Sequence, residues 1–138
     1  MYIFSVYLPQ QNCVIDNFED VLFSLEQFVQ EANIDGNVVI LGDVNSNLGQ
    51  LTGSRGHGDP SSNGYNLFEF MKRNILTAID MTEITTGPTH TFEMMRNEVL
   101  HVSYIDHVII SSQLANNILT CKVFEDEPDN TSDHLPIL

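Results

Sequence analysis

Val38-Val39-Ile40-Leu41-Gly42-Asp43-Val44-Asn45 sets four branched or long apolar residues directly before a glycine, a carboxylate and a carboxamide. A run of that length and composition reads as a buried strand, and the glycine marks its end. Side chains that leave a strand at its end are held by a rigid scaffold while they face a ligand. Asp43 and Asn45 stand at i and i+2, so they point the same way if the backbone stays extended. A carboxylate can orient a water, and a carboxamide beside it can hold that water or an anionic oxygen. Near the other end of the chain, Ser132-Asp133-His134-Leu135-Pro136 offers a carboxylate for a hard cation and an imidazole. Either motif alone is also what a polar turn after a strand, or an Asp-His pair in a loop, looks like. Together they outline a phosphoester hydrolase site.

Strands and helices alternate outward from this stretch. Tyr2 to Leu8 is an apolar, aromatic run stopped by Pro9 and reads as a second buried strand. A capping box from Asp16 to Glu19 opens a helix, in which Phe18, Val21, Leu22, Leu25, Phe28 and Val29 recur on one face. That helix is expected to end between Asn33 and Gly36. Asn47 to Asn63 is rich in Gly, Ser and Asn without a hydrophobic period, and Gly53 to Gly58 lacks the Lys-Ser/Thr of a P-loop, which predicts a flexible surface loop. A shorter helix is predicted over Tyr65 to Asn74, and strands over Ile75 to Met81, Thr89 to Met94 and Val99 to Ser111. Ser112 to Ile118 reads as a helical turn, Leu119 to Phe124 as a strand, and Leu135 to Leu138 as the start of another. Asp106 stands inside an apolar run, where a carboxylate must be paired or coordinated unless it lies on the open face of an edge strand.

Composition bounds the rest. A chain of 138 residues with 42% hydrophobic content builds one domain with a real core. It holds no apolar run long enough to span a membrane, and Met1 to Gln10 lacks the basic start and cleavage site of a signal peptide. A soluble, intracellular protein is expected, with no signal that separates nucleus from cytoplasm. Cys13 and Cys121 stand apart and form no C-x-x-C, so reduced thiols are expected. The net charge of -14, with five Lys and Arg against 19 Asp and Glu, opposes binding to a polyanion through this surface alone. Glu125 to Asp129 reads as a solvated acidic loop.

Read in order, Tyr7-Leu8-Pro9, Gly42-Asp43-Val44-Asn45, Thr91-Phe92, Ser103-Tyr104-Ile105-Asp106-His107 and Ser132-Asp133-His134 resemble the successive motifs of the endonuclease/exonuclease/phosphatase superfamily. That superfamily includes apurinic/apyrimidinic endonucleases, DNase I, deadenylases, sphingomyelinases and inositol-polyphosphate 5-phosphatases. The stretch from Gly53 to Phe92, with Arg55-Gly56, Asn63-Gly64, Leu67-Phe68 and Pro88-Thr89, is most similar to the endonuclease domains of non-LTR (LINE-type) retroelements. The resemblance implies an α/β sandwich of the DNase I-like type, two packed mixed sheets with outer helices. It also implies roles. Asp43 orients or deprotonates the attacking water, and Asn45 holds that water or a phosphate oxygen. Asp106 orients His134, whose imidazole contacts the scissile phosphate. Asp133 is a ligand for Mg²⁺, with Mn²⁺ as a substitute, and Tyr7 contacts the phosphate through its hydroxyl. For Tyr7 a core aromatic ahead of a strand-ending proline is the competing reading, and His57, His90, His101 and His107 match no motif role.

The chain departs from the superfamily pattern in two ways. No residue supplies the Asn or Asp of the opening strand or the Glu that is the principal metal ligand, and Gln10 stands where many members have Asn. Residues 1–138 are therefore expected to be a partial domain, about its second half, without the N-terminal half and the last strand. Three consequences are expected: little activity from the chain alone, DNA contact through the missing half, and an uncovered apolar sheet face open to association. Metal-dependent phosphodiester hydrolysis of the retroelement DNA-endonuclease kind is the leading expectation. A phosphatase or phosphodiesterase acting on lipid or small-molecule phosphoesters, and a non-catalytic remnant, are the alternatives.

Overall fold

Which side of each strand is buried follows from alternation along the chain. The computed structural model describes residues 1–13, 17–53, 55–125 and 130–138. In it Tyr2–Tyr7 forms strand β1, and Phe18–Ala32 forms helix α1. Val38–Asp43 follows as β2, Ser62–Arg73 as helix α2 and Leu76–Ala78 as β3. The short strands β4 (Thr85–Thr86), β5 (Phe92–Arg96) and β6 (Val99–Ser103) precede β7 (Asp106–Ser111) and β8 (Cys121–Lys122). The main sheet has the order β1-β2-β7-β3, with β1 parallel to β2 and β7 antiparallel to both β2 and β3. Strands β4 and β8 pair in parallel, and β5 with β6 forms a hairpin.

One face of the sheet carries the core. Val38 and Ile40 of β2, Ile109 of β7, and Leu76 and Ala78 of β3 pack with Leu22, Leu25 and Val29 of α1 and with Leu67, Phe70 and Met71 of α2. Arg73 of α2 ties the two helices together through a two-pronged ion pair, Nε to Glu26 Oε1 at 2.9 Å and Nη2 to Oε2 at 2.8 Å. The other face is read off the register. Ile3, Val39, Ile110 and Thr77 form one row across the four strands, Ser5, Leu41 and Val108 a second, and Tyr7, Asp43 and Asp106 a third. Toward β1 this face is open, with Ile3 61% and Leu41 37% exposed.

Several expectations are corrected. Asp16 lies outside the described residues. Helix α1 is capped by Asn17, whose side chain accepts from the Glu19 N–H at 3.1 Å. Helix α2 begins before Tyr65, because Ser61 caps it by accepting from Gly64 N–H. Residues 75–81 do not form one strand. The strand is Leu76–Ala78, and Ile79–Met81 turns in a 3-10 helix that buries Asp80. Val99 to Ser111 is two strands in two sheets, broken at Tyr104-Ile105 because β6 belongs to the hairpin. Asn97 and Glu98 turn that hairpin with φ of 51° and 63°, the positive pair of a two-residue loop. The loop after β2 is anchored: Arg55 donates to the backbone carbonyls of Thr85, Gly87 and Pro88. Of the acidic run from 125 to 129, residues 126–129 lie outside the described residues. Cys13 and Cys121 are both free thiols. No helix of the described residues is long and apolar enough to cross a membrane.

Candidate active site

Three adjacent strands place polar side chains in one row. Tyr7 ends β1, Asp43 ends β2 and Asp106 begins β7, and they are register partners in that order. Because register partners point to the same side of a sheet, the phenol and the two carboxylates share the face opposite the helices. Gly42 permits the arrangement. Its φ is +136°, and a Cβ there would lie 2.1 Å from the Val6 carbonyl oxygen, so only glycine lets β1 come this close beside Asp43. Tyr7 is 72% exposed, which rules out the core reading and leaves its hydroxyl in solvent at the mouth of the site.

His134 closes the row from the far end of the chain. Its backbone bridges to Phe92 and its ring packs edge-on against the Phe92 ring at 5.1 Å, while Leu135 N–H donates to the Thr91 carbonyl at 2.7 Å. The His134 Nδ1–H faces both Asp106 oxygens, at 3.1 and 2.9 Å. That bond fixes the tautomer and turns Nε2 outward, where it lies 4.0 Å from Asp133 Oδ1. Partial burial works against the imidazolium, but the Asp106 hydrogen bond and charge, aided by Asp43 and Asp133, hold its pKa above the ordinary value. The Asp43 carboxyl is also held above the usual carboxylate range, first by burial and then by the Asp106 charge, against the Asn45 N–H that donates to it. A carboxylate raised in this way is a better proton acceptor than a free one.

The extended path expected from Asp43 to Asn45 is not found. Strand β2 ends at Asp43, and Asn45 has a φ of +47°. Its backbone N–H donates to Asp43 Oδ1 at 3.0 Å, and its side-chain amide donates to the Leu8 carbonyl at 2.8 Å. Asn45 thus straps the end of β1 to this turn through its side-chain amide, which also hydrogen-bonds to the Asp43 carboxylate.

Asp133 is the cation ligand expected from the sequence. Its side chain is 57% exposed beside His134, and among the described residues no group of three or more His, Cys, Asp or Glu is gathered to hold a metal. Mg²⁺ is commonly held by one or two carboxylates, with water and substrate phosphate oxygens filling the other positions. An accessible carboxylate next to the imidazole therefore fits that ion in donor type.

Three residues near the site were not assigned from the sequence. Thr91 is fully buried, and its Oγ1 accepts from the Ile105 and Asp106 N–H groups, both at 3.0 Å, which sets where Asp106 starts. Asp80 and His107 form a buried pair behind the row. The signal for that pair was present as two titratable residues in otherwise apolar runs, each needing a partner.

Comparison with known proteins follows the same outline. A family model described as endonuclease-reverse transcriptase matches residues 1–138. The endonuclease domain of TRAS1, a telomere-specific non-LTR retrotransposon, has a similar structure, with a TM-score of 0.67 and 19% identity over 89% of this chain and 51% of that one. A 3'-5' exonuclease (NExo) from Neisseria meningitidis is similar with a TM-score of 0.69 and 20% identity, over 98% of this chain and 59% of that one. The chain thus spans between half and three fifths of these structures, and its fold is that of DNase I-like α/β domains. No curated protein matches it.

Proposed function

Because the chain belongs to the endonuclease–reverse transcriptase family, we propose that it works in the divalent-metal-dependent hydrolysis of DNA phosphodiester bonds, as part of a retroelement-type endonuclease. The observation that carries this reading is the row Tyr7, Asp43, Asp106, completed by the His134 Nδ1–H bonded to Asp106. It sets a proton acceptor and a protonated imidazole side by side, as in-line attack at phosphorus requires.

In this reading Asp43 takes the proton of the attacking water. Its Oδ1 is occupied by the Asn45 N–H, which leaves Oδ2 for the water. The Asn45 amide steadies that water or a phosphate oxygen. His134 donates from Nε2 to a non-bridging oxygen, where negative charge grows in the transition state, and Asp106 keeps the ring charged and aimed. Tyr7 donates its hydroxyl to the same phosphate. Asp133 would hold Mg²⁺ or Mn²⁺, which supplies charge neutralisation at the phosphate when bound.

The test is a plasmid-nicking assay run beside phosphate release from small phosphoesters, with Mg²⁺ or Mn²⁺. It uses this chain alone and this chain joined to the complementary half of a related domain. Nicking that requires the cation, and that falls roughly 10²- to 10⁴-fold with Asp43→Asn or His134→Ala, is the expected result. Phosphate release without nicking would overturn the DNA reading.

A further inference from the structure

Asp80 and His107 take no part in the proposed chemistry, yet they are buried to 0% and 1% exposure directly behind it. Their bonds run to both walls of the site. His107 Nδ1 lies 2.7 Å from Asp80 Oδ2, and His107 Nε2 lies 3.0 Å from the Ser46 carbonyl oxygen. The other carboxylate oxygen, Asp80 Oδ1, accepts the Val108 N–H at 2.8 Å. The Tyr104 ring stacks on His107 at 5.3 Å, and its hydroxyl donates to the Asp80 carbonyl at 3.3 Å.

With Asp80 ionised, a carboxylate and a carbonyl only accept, so the two contacts call for a proton on each ring nitrogen of His107. Burial opposes that charge, but the Asp80 charge and hydrogen bond, with the Ser46 carbonyl, outweigh it and hold the pKa above the ordinary imidazole value. A neutral imidazole has one N–H. It could bond Asp80 or Ser46 as a donor, but not both.

The two ends of this network are the two halves of the site. Ser46 directly follows Asn45, and it lies beyond the β2–β7 ladder, whose last pair is Asp43 with Asp106. Past that pair, the Val44 N–H to the Ile105 carbonyl at 3.0 Å and the His107 bond to Ser46 continue the tie between turn and strand. His107 and Val108 directly follow Asp106, and His107 faces the side opposite to it. We propose that Asp80 and His107 are positioning residues, a buried ion pair that fixes the turn bearing Asp43 and Asn45 against Asp106. The proposal rests on the catalytic reading of those three side chains. Strand pairing sets β2 against β7, and the Asn63 amide on the Asn45 carbonyl at 3.2 Å and the Ser61 N–H on the Asn47 carbonyl at 2.9 Å hold the turn from the α2 side. The charged pair holds the Ser46 carbonyl between them to β7.

The test is NMR on the isotope-labelled chain and needs no turnover, so its failure is separate from any failure of the nuclease reading. At pH 7 the His107 ring should show two N–H protons and imidazolium nitrogen shifts. In Asp80→Asn one ring proton should be lost, with shifts at the amides of Asn45, Ser46, Asn47 and Asp106 while those of α1 stay in place. Because Asp80→Asn removes one member of a buried pair and can unfold the chain, the double variant Asp80→Leu/His107→Phe provides the second arm. It buries no charge and keeps an aromatic ring against Tyr104. It should fold, move the same four amides and speed exchange of the Asn45 amide by roughly tenfold. A wild-type His107 with a single ring proton overturns the proposal. So does a folded double variant in which those amides stay put, since the pair would then only fill the core.

Discussion

Asp43 is held in a state that costs the fold something. Its carboxyl ionises against burial and against the neighbouring Asp106 charge, so its folded pKa lies above the unfolded one. Stability from the neutral form is present below the ordinary carboxylate range and is lost as pH rises through the raised value. Asp43→Asn keeps the oxygen that accepts the Asn45 N–H while removing the charge. We expect its melting temperature at pH 7 to exceed that of the unsubstituted chain by on the order of 2 °C, and the difference to vanish at acid pH, as read by calorimetry. A second expectation concerns the Asp106–His134 pair. In a nuclease assay Asp106→Asn and His134→Ala should together cost little more than His134→Ala alone, since Asp106 acts through the imidazole. Losses that multiply would mean the two residues act independently. The members of this row were legible as isolated polar residues at the edges of apolar runs. Their order across the sheet was not, because it is set by the register of strands 36 and 63 residues apart, measured from Tyr7 to Asp43 to Asp106.

The elements divide along similar lines. The apolar stripe of α1 was readable because six residues repeat at helical spacing with no competing pattern, and the structure buries Phe18, Leu22, Leu25 and Val29 from it. Phe28 is 61% exposed, since one face of a helix holds only so many residues. The single strand read over residues 99–111 failed for a physical reason. Alternation persists through a hairpin strand and a sheet strand alike, so the break at Tyr104-Ile105 leaves no mark in hydropathy. Helix pairing can be tested at Glu26, whose carboxyl is held below the usual range chiefly by the Arg73 hydrogen bond, against burial and with help from Asn74. That contribution is present above the ordinary carboxylate range and is lost as pH falls through the lowered value. Glu26→Gln should therefore cost about 1 kcal/mol at pH 7, since Arg73 is half exposed, and nothing at low pH, by urea denaturation. Gly42→Ala should cost at least about 3 kcal/mol, because the added methyl meets backbone rather than a side chain that can turn away.

At the scale of the molecule, charge and apolar surface pull in different directions. With a formal net charge of -14 and five cationic side chains, the chain should show no measurable affinity for duplex DNA near physiological salt without Mg²⁺. Fluorescence anisotropy against a labelled duplex checks this, and micromolar binding would count against it. Meanwhile Ile3 and Leu41 leave part of the sheet face open, and Met95, Val99, Leu100 and Val102 expose apolar groups on the hairpin. Leu41→Lys should shift sedimentation toward monomer if that face drives association.

The row of Tyr7, Asp43 and Asp106 also guards the fold against a mistake. In a sheet, slipping a strand by one residue turns every side chain to the opposite face. A one-residue slip of β2 against β1 and β7 would turn Asp43 toward the apolar groups of the core and bring Val38 and Ile40 out onto the open face. An unpaired carboxylate among those groups is far more costly than a misplaced aliphatic side chain, which the apolar face would tolerate. The two carboxylates of the proposed site thus penalise the wrong alignment more heavily than the hydrophobic pattern alone can. Replacing both carboxylates with apolar residues would remove that penalty, leaving a sheet of similar stability but less certain register.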